Sequence, residues 1–120
     1  MKIAIGGMQK NLMQQEIQKA APGVETVITN DMSAASMLKK GEVDYYIGAC
    51  ESGGGSAISI LIGLMGYSKC CTVCKNGSKP NKAEIEKFIN DGKVCFGMAV
   101  DQREVTVPVL MQVLTEHANK

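Results

Sequence analysis

Cys50, Glu51 and Ser52 stand in a row, and three glycines, Gly53 to Gly55, follow them before Ser56. Three consecutive residues without side chains leave main-chain N–H groups that nothing shields, and such groups can hold an anion. On one side Tyr45 to Ala49 reads as a strand, and on the other SAISILIGLMG, the longest apolar run, reads as a buried helix. The glycines therefore make a strand-to-helix turn, where they permit positive φ and leave the backbone open to a ligand. Unpaired N–H groups in the first turn of the helix, with its dipole, favour a phosphate or carboxylate there. The spacing matches neither the phosphate loop of nucleoside triphosphatases nor the dinucleotide-binding glycine pattern, so a purely structural turn stands as the alternative.

The other elements decide what surrounds that turn. Lys2 to Ile5 reads as a first strand ending at Gly6-Gly7. Leu12, Met13, Ile17 and Ala20 then make a helix face stopped by Pro22-Gly23. Val24 to Thr29 is a second strand, with Asn30-Asp31 at a helix N-cap before Ala34, Ala35, Met37 and Leu38. In the helix after the glycines, Ile58, Leu61, Ile62 and Met65 form one stripe while Ile60 and Leu64 lie outside it, so it is expected to be buried or at a subunit interface. Tyr67 to Cys74 is the fourth strand. Alternation puts Cys71 and Cys74 on opposite faces and Cys70 and Cys74 on one face, about 13 Å apart and beyond the ~7 Å limit of a disulfide. The thiols of this strand are read as core. Asn81 and Glu84 begin a fourth helix by a capping-box pattern, Val94 to Val100 is the fifth strand, and Pro108 falls in the first turn of the last helix. His117, in that helix's final turn, is read as a solvated residue.

Five strands alternating with helices predict one α/β domain over residues 1–120: a three-layer α/β/α, Rossmann-like sandwich of flavodoxin type. Its parallel five-stranded sheet has the expected order 2-1-3-4-5. The crevice between the first and third strands would be lined by Gly6, Gly7, Gln9, Lys10 and the Cys50 to Ser56 turn, with Asn30, Asp31, Lys75, Asn76 and Asp101 at its sides. With one distant histidine no metal set is legible, and no cofactor is expected.

Thirteen basic and twelve acidic side chains leave a formal charge of +1, with the basic residues scattered. That excludes the clustered positive surface of a nucleic-acid binder. No apolar run approaches the ~18 residues of a membrane span, and five cysteines, an odd number, without a secretion pattern fit reduced thiols in the cytoplasm. The expected partners are a small anionic metabolite and further copies of this chain, as a homodimer or higher homo-oligomer.

The run from MKIAIGG through DYYIGACESGGGSA to KVCFGMAV resembles the YhfU-like family of small bacterial proteins of unassigned role. The central stretch VDYYIGACESGGGSAISI is also similar to the third strand of the ribose-5-phosphate isomerase B and galactose-6-phosphate isomerase family. The frame holds through Asp44, Tyr45, Ile47, Cys50, Gly53, Gly55 and Ile58, with Ser52 in place of that family's Thr. This resemblance implies that Cys50 is the base that moves a proton between C1 and C2 of a sugar phosphate. Ser52 and the N–H groups of Gly53 to Gly55 would hold the enediolate. Three departures bear on the chemistry: Glu51 replaces a Gly, Met8 and Gln9 replace an Asp-His pair, and Arg103 is the only arginine. Glu51 would then raise the thiol pKa, unless it points away or serves as the acid-base group itself. Two alternatives remain open, a non-catalytic subunit whose glycine turn is structural, and a Cys50 phospho-acceptor like that of phosphotransfer-system IIB domains.

Overall fold

A computed structural model gives the structure of residues 1–51 and 58–119. Its five strands are β1 (Lys2–Gly7), β2 (Glu25–Ile28), β3 (Tyr45–Cys50), β4 (Cys70–Cys74) and β5 (Cys95–Ala99). The helices are α1 (Lys10–Ala20), α2 (Asp31–Lys39), α3 (Ser59–Met65), α4 (Lys82–Asn90) and α5 (Arg103–Ala118). All strand pairs are parallel. Caps start two helices as their sequence predicts: Asn30 Oδ1 accepts from the Ser33 N–H at 2.9 Å and Asn81 Oδ1 from the Glu84 N–H at 3.1 Å.

The sheet order is β2-β1-β3-β5-β4, so the expected 2-1-3-4-5 is corrected at its far edge. Both last strands read as apolar runs, but β5 is buried at every position, whereas β4 carries half-buried Thr72 between flanking Lys69 and Lys75. The strand with a polar residue takes the edge. Because the chain reverses direction between β4 and β5, a right-handed crossover must put α4 on the same side as α1 and α5. It does so: α1, α4 and α5 cover one face, around Ile5, Met13, Ile17, Ile85, Phe96 and Leu110, and α2 and α3 cover the other, around Ala4, Ala34, Tyr46 and Leu61.

Several local expectations are also corrected. Tyr67 to Lys69 form a turn of 3-10 helix, and β4 starts only at Cys70. A register irregularity between Thr72 and Cys74 breaks the alternation of that strand, so Cys71, Val73 and Cys74 all belong to the α1/α4/α5 core while Cys70 faces the other side. The predicted shared face of Cys70 and Cys74 is thereby lost. None of the five cysteines is in a disulfide, and all are buried. Pro108 lies in the sixth position of α5 rather than its first turn, because that helix begins at Arg103. In α1, Met13 and Ile17 are buried while Leu12 and Ala20 are exposed. The stripe expected on α3 packs as read, with Ile58 and Leu61 buried, and Ile60 and Leu64 remain 45% and 41% exposed.

Candidate functional site

The register places Cys50 as the last residue of β3, opposite Ala99 at the end of β5. Alternation from Tyr46 through Gly48 directs its side chain toward the α2/α3 side. The revised strand order gives this position an unusual setting. β3 continues into α3 on one side of the sheet, whereas both of its neighbours, β1 and β5, continue into helices on the other side. The end of β3 is therefore flanked by a reversal of connection on each side, where parallel sheets open a crevice for ligands. The sequence pointed to one such boundary, between β1 and β3; the structure contains a second, between β3 and β5.

The loop after β1 is held in a strained form. Gly7 has φ +75 and lies so close to Ala49 that a Cβ would meet its backbone, and the Met8 N–H donates to the Ala49 carbonyl at 2.8 Å. Gln9 adopts φ 51, a left-handed conformation uncommon for a residue with a side chain. It is secured by Arg103, whose Nη1 donates to Gln9 Oε1 at 3.0 Å and to the Val100 carbonyl at 3.1 Å. Glu16 and Glu104 each stand 3.9 Å from the same guanidinium. Arg103 therefore ties the loops after β1 and β5 together, and its charge is balanced by two carboxylates. The sequence singled out this arginine only for its rarity. Its link to Gln9, across a separation of 94 residues, has no local signature.

On the α2/α3 side the site contains a pair that the sequence reading missed. Tyr46 is completely buried, and its hydroxyl donates to Asp31 Oδ1 at 2.5 Å. The phenol lies over Gly6 and Gly48, which are register partners on β1 and β3. A Cβ on Gly6 would come within 2.6 Å of Tyr46 Oη and 3.0 Å of Asp31 Oδ1, and one on Gly48 within 2.8 Å of Tyr46 Cζ. Two glycines are thus required by one aromatic ring. Burial first, then the hydrogen bond and the negative charge of Asp31, push the Tyr46 phenol far above its usual range, so it is a fixed donor at physiological pH. A signal for this arrangement existed in the spacing Tyr46-x-Gly48, which puts a large ring and an empty position on one strand face, but the Gly6 partner requires the register.

The other predicted residues divide by distance from this centre. Asp31 joins the site, while Asn30 uses its side-chain oxygen as a helix cap. Lys10 opens α1 and Gly6 ends the buried part of β1. Glu51 is exposed. Lys75 follows the outermost strand and lines a groove of about 500 Å³ beside β4 with Phe88 and Lys93, away from β3. Asn76 and Asp101 bond to each other at 2.8 Å. Ser52, Gly53, Gly54, Gly55 and Ser56 lie outside the described residues. Among the described residues, no three His, Cys, Asp or Glu side chains converge to hold a metal, and no helix is long and apolar enough to cross a membrane.

Solved structures with this fold include ribose-5-phosphate isomerase B from Giardia lamblia, with a TM-score of 0.66 at 14% identity over 96% of this chain and 94% of that one. The type B enzyme from Leishmania infantum gives 0.67 at 12% identity, over 98% and 90%. At this identity the likeness is one of fold. Among curated proteins, the uncharacterized protein YhfU of Escherichia coli K12 is 45% identical over 111 residues, 92% of this chain and 95% of that protein. YhfU of Shigella flexneri matches to the same extent. The family model described as "Protein of unknown function DUF2620" matches residues 1–114, and the chain belongs to that family.

Proposed function

We propose that this protein binds a small anionic metabolite, a sugar phosphate or sugar acid, in the crevice at the end of β3. The observation that carries the reading is the position of Cys50, at a strand end flanked by two reversals of connection. The Asp31–Tyr46 pair, on the same side of the sheet, adds polar groups to it. The glycine turn that follows Cys50 in the sequence would supply N–H donors for the anionic end. The neighbouring folds named ribose-5-phosphate isomerase support the sugar phosphate as the first ligand to try. In the isomerase form of this reading, the Cys50 thiolate takes the proton from C2, beside the C1 carbonyl, and returns it to C1, while the O2 hydroxyl proton passes to O1 so that the carbonyl moves to C2. Buried cysteines without disulfides fit a reducing setting such as the cytoplasm.

A thermal-shift series with inorganic phosphate, ribose 5-phosphate and gluconate tests binding. A ligand present at a hundred times its Kd adds about 2.7 kcal/mol of stability, and no shift with any of the three removes the proposal. Turnover has its own test: ribose 5-phosphate incubated with the protein in deuterated water gains deuterium at C2 if a proton is exchanged. Cys50→Ser abolishes that exchange if the thiol is the base.

A second reading, a non-catalytic subunit, is favoured by one specific feature, the exposed Ile60 and Leu64 on a helix without charged residues. Such a surface fits a second copy of this chain. Sedimentation of the wild type against Leu64→Glu separates the possibilities. An oligomer that the substitution splits supports an α3 contact, and a wild-type monomer opposes it.

A further inference from the structure

We propose that Asp31, held by the buried hydroxyl of Tyr46, makes the crevice at Cys50 select a polyhydroxylated anion over a bare one. The inference rests on the binding reading above and assigns the specificity of that same site.

The pair is costly to build. A buried phenol needs an acceptor, and a backbone carbonyl would serve. Here the acceptor is a carboxylate at the first position of α2, at the rim of the sheet, and partly exposed. Gly6 and Gly48 both remain without side chains beneath it, and a Cβ on Gly6 would crowd the hydroxyl and the carboxylate together. The ring, the two glycines and the carboxylate therefore fix one another. Among the described residues the bond from Tyr46 engages only Oδ1, and no other hydrogen bond reaches the Asp31 carboxylate, so Oδ2 keeps its capacity to accept.

A carboxylate is a poor neighbour for a phosphate and a strong acceptor for a hydroxyl. Placed at the rim beside the β1–β3 crevice, it disfavours inorganic phosphate and rewards a ligand whose hydroxyl groups reach Asp31 while its charged end lies elsewhere. Tyr46 is a positioning residue in this scheme: it touches Asp31, and the carboxylate touches the ligand. The sequence reading placed Asp31 at the side of the crevice as one lining residue among several and gave Tyr46 no part.

The test uses the full chain as wild type, Asp31→Asn and Tyr46→Phe. Calorimetric Kd values are measured for ribose 5-phosphate against inorganic phosphate, and for gluconate against acetate. Loss of one hydrogen bond to a charged group corresponds to about tenfold in affinity, so Asp31→Asn is expected to weaken the hydroxylated ligand of each pair about tenfold. The bare anion should bind as well as before or more tightly. Tyr46→Phe should move the same ratio in the same direction by a smaller factor. A tie that serves only the core lowers the melting temperature in both variants but leaves the ratio unchanged, which overturns the inference. Should Tyr46→Phe fail to fold, the isosteric Asp31→Asn decides alone. If the bare anions bind and the ratio ignores Asp31, the specificity assignment fails while the anion site stands; if nothing binds the wild type, both fail.

Discussion

On the face covered by α1, α4 and α5, the three central strands present Ile3 and Ile5, Ile47 and Ala49, and Phe96 and Met98. On the opposite face the same strands present Ala4 and Gly6, Tyr46 and Gly48, and Cys95 and Gly97. The first set fills space with branched and aromatic side chains, and the second leaves space that a single phenol then occupies. Large residues on one side give a dry core shared by three helices, while small residues on the other let one polar side chain run along the sheet to its rim. Most of the large buried apolar side chains therefore lie on the first face and the candidate site on the second.

That division can be broken most directly by Phe96→Ala. A fully buried aromatic truncated in this core is expected to cost about 3–5 kcal/mol in urea unfolding, a large share of the stability of a domain this size. A loss under 1 kcal/mol would mean that the α1/α4/α5 face is not the stabilising one. For the opposite face, Gly48→Ala is expected to cost about 1–3 kcal/mol, because its new methyl meets the Tyr46 ring. Combined with Tyr46→Ala, that penalty should largely disappear. Additive losses in the double-mutant cycle would show that the glycine is not there for the ring.

Titration gives a smaller effect. Burial pushes the Cys71 thiol up to about 12, against an ordinary value of 9.0. The folded chain therefore binds this proton more tightly than the unfolded chain does. Its contribution is complete below pH 9 and is lost as pH rises through the window to 12, with a slope of up to about 1.4 kcal/mol per pH unit. Cys71→Val should flatten the alkaline limb of the stability curve; an unchanged limb would show that the thiol is not sealed within that core. The smallest expected effects are those of the helix caps. Asn81→Ala, which opens α4 on the first face, and Asn30→Ala, which opens α2 on the second, should each cost about 1 kcal/mol. Only the Asn30 variant, adjacent to Asp31, should also alter ligand binding in calorimetry.

Much of the architecture was legible because it depends on local rules. Periodicity located five strands and their helices, Asn30 and Asn81 announced helix starts, and the odd cysteine count fitted reduced thiols. The order of β4 and β5 was not legible, since both are short apolar runs and only Thr72 separates their character. The irregularity at Thr72 that reassigns Cys74 also leaves no trace in the alternation itself. For the candidate site, Cys50 and Asp31 could be picked out as a thiol at a strand end and a carboxylate at a helix start.

By itself, then, the chain specified its alternation of strands and helices and the position of Cys50 at the end of the third strand, because hydrophobic periodicity and caps act over a few residues. Tertiary structure decided that this strand end lies between two reversals of connection, that Arg103 secures Gln9, and that Tyr46 spends its hydroxyl on Asp31 above two glycines. Those relations join residues 15 and 94 positions apart. They arise only when parallel register and the handedness of the crossovers bring distant segments to the same rim.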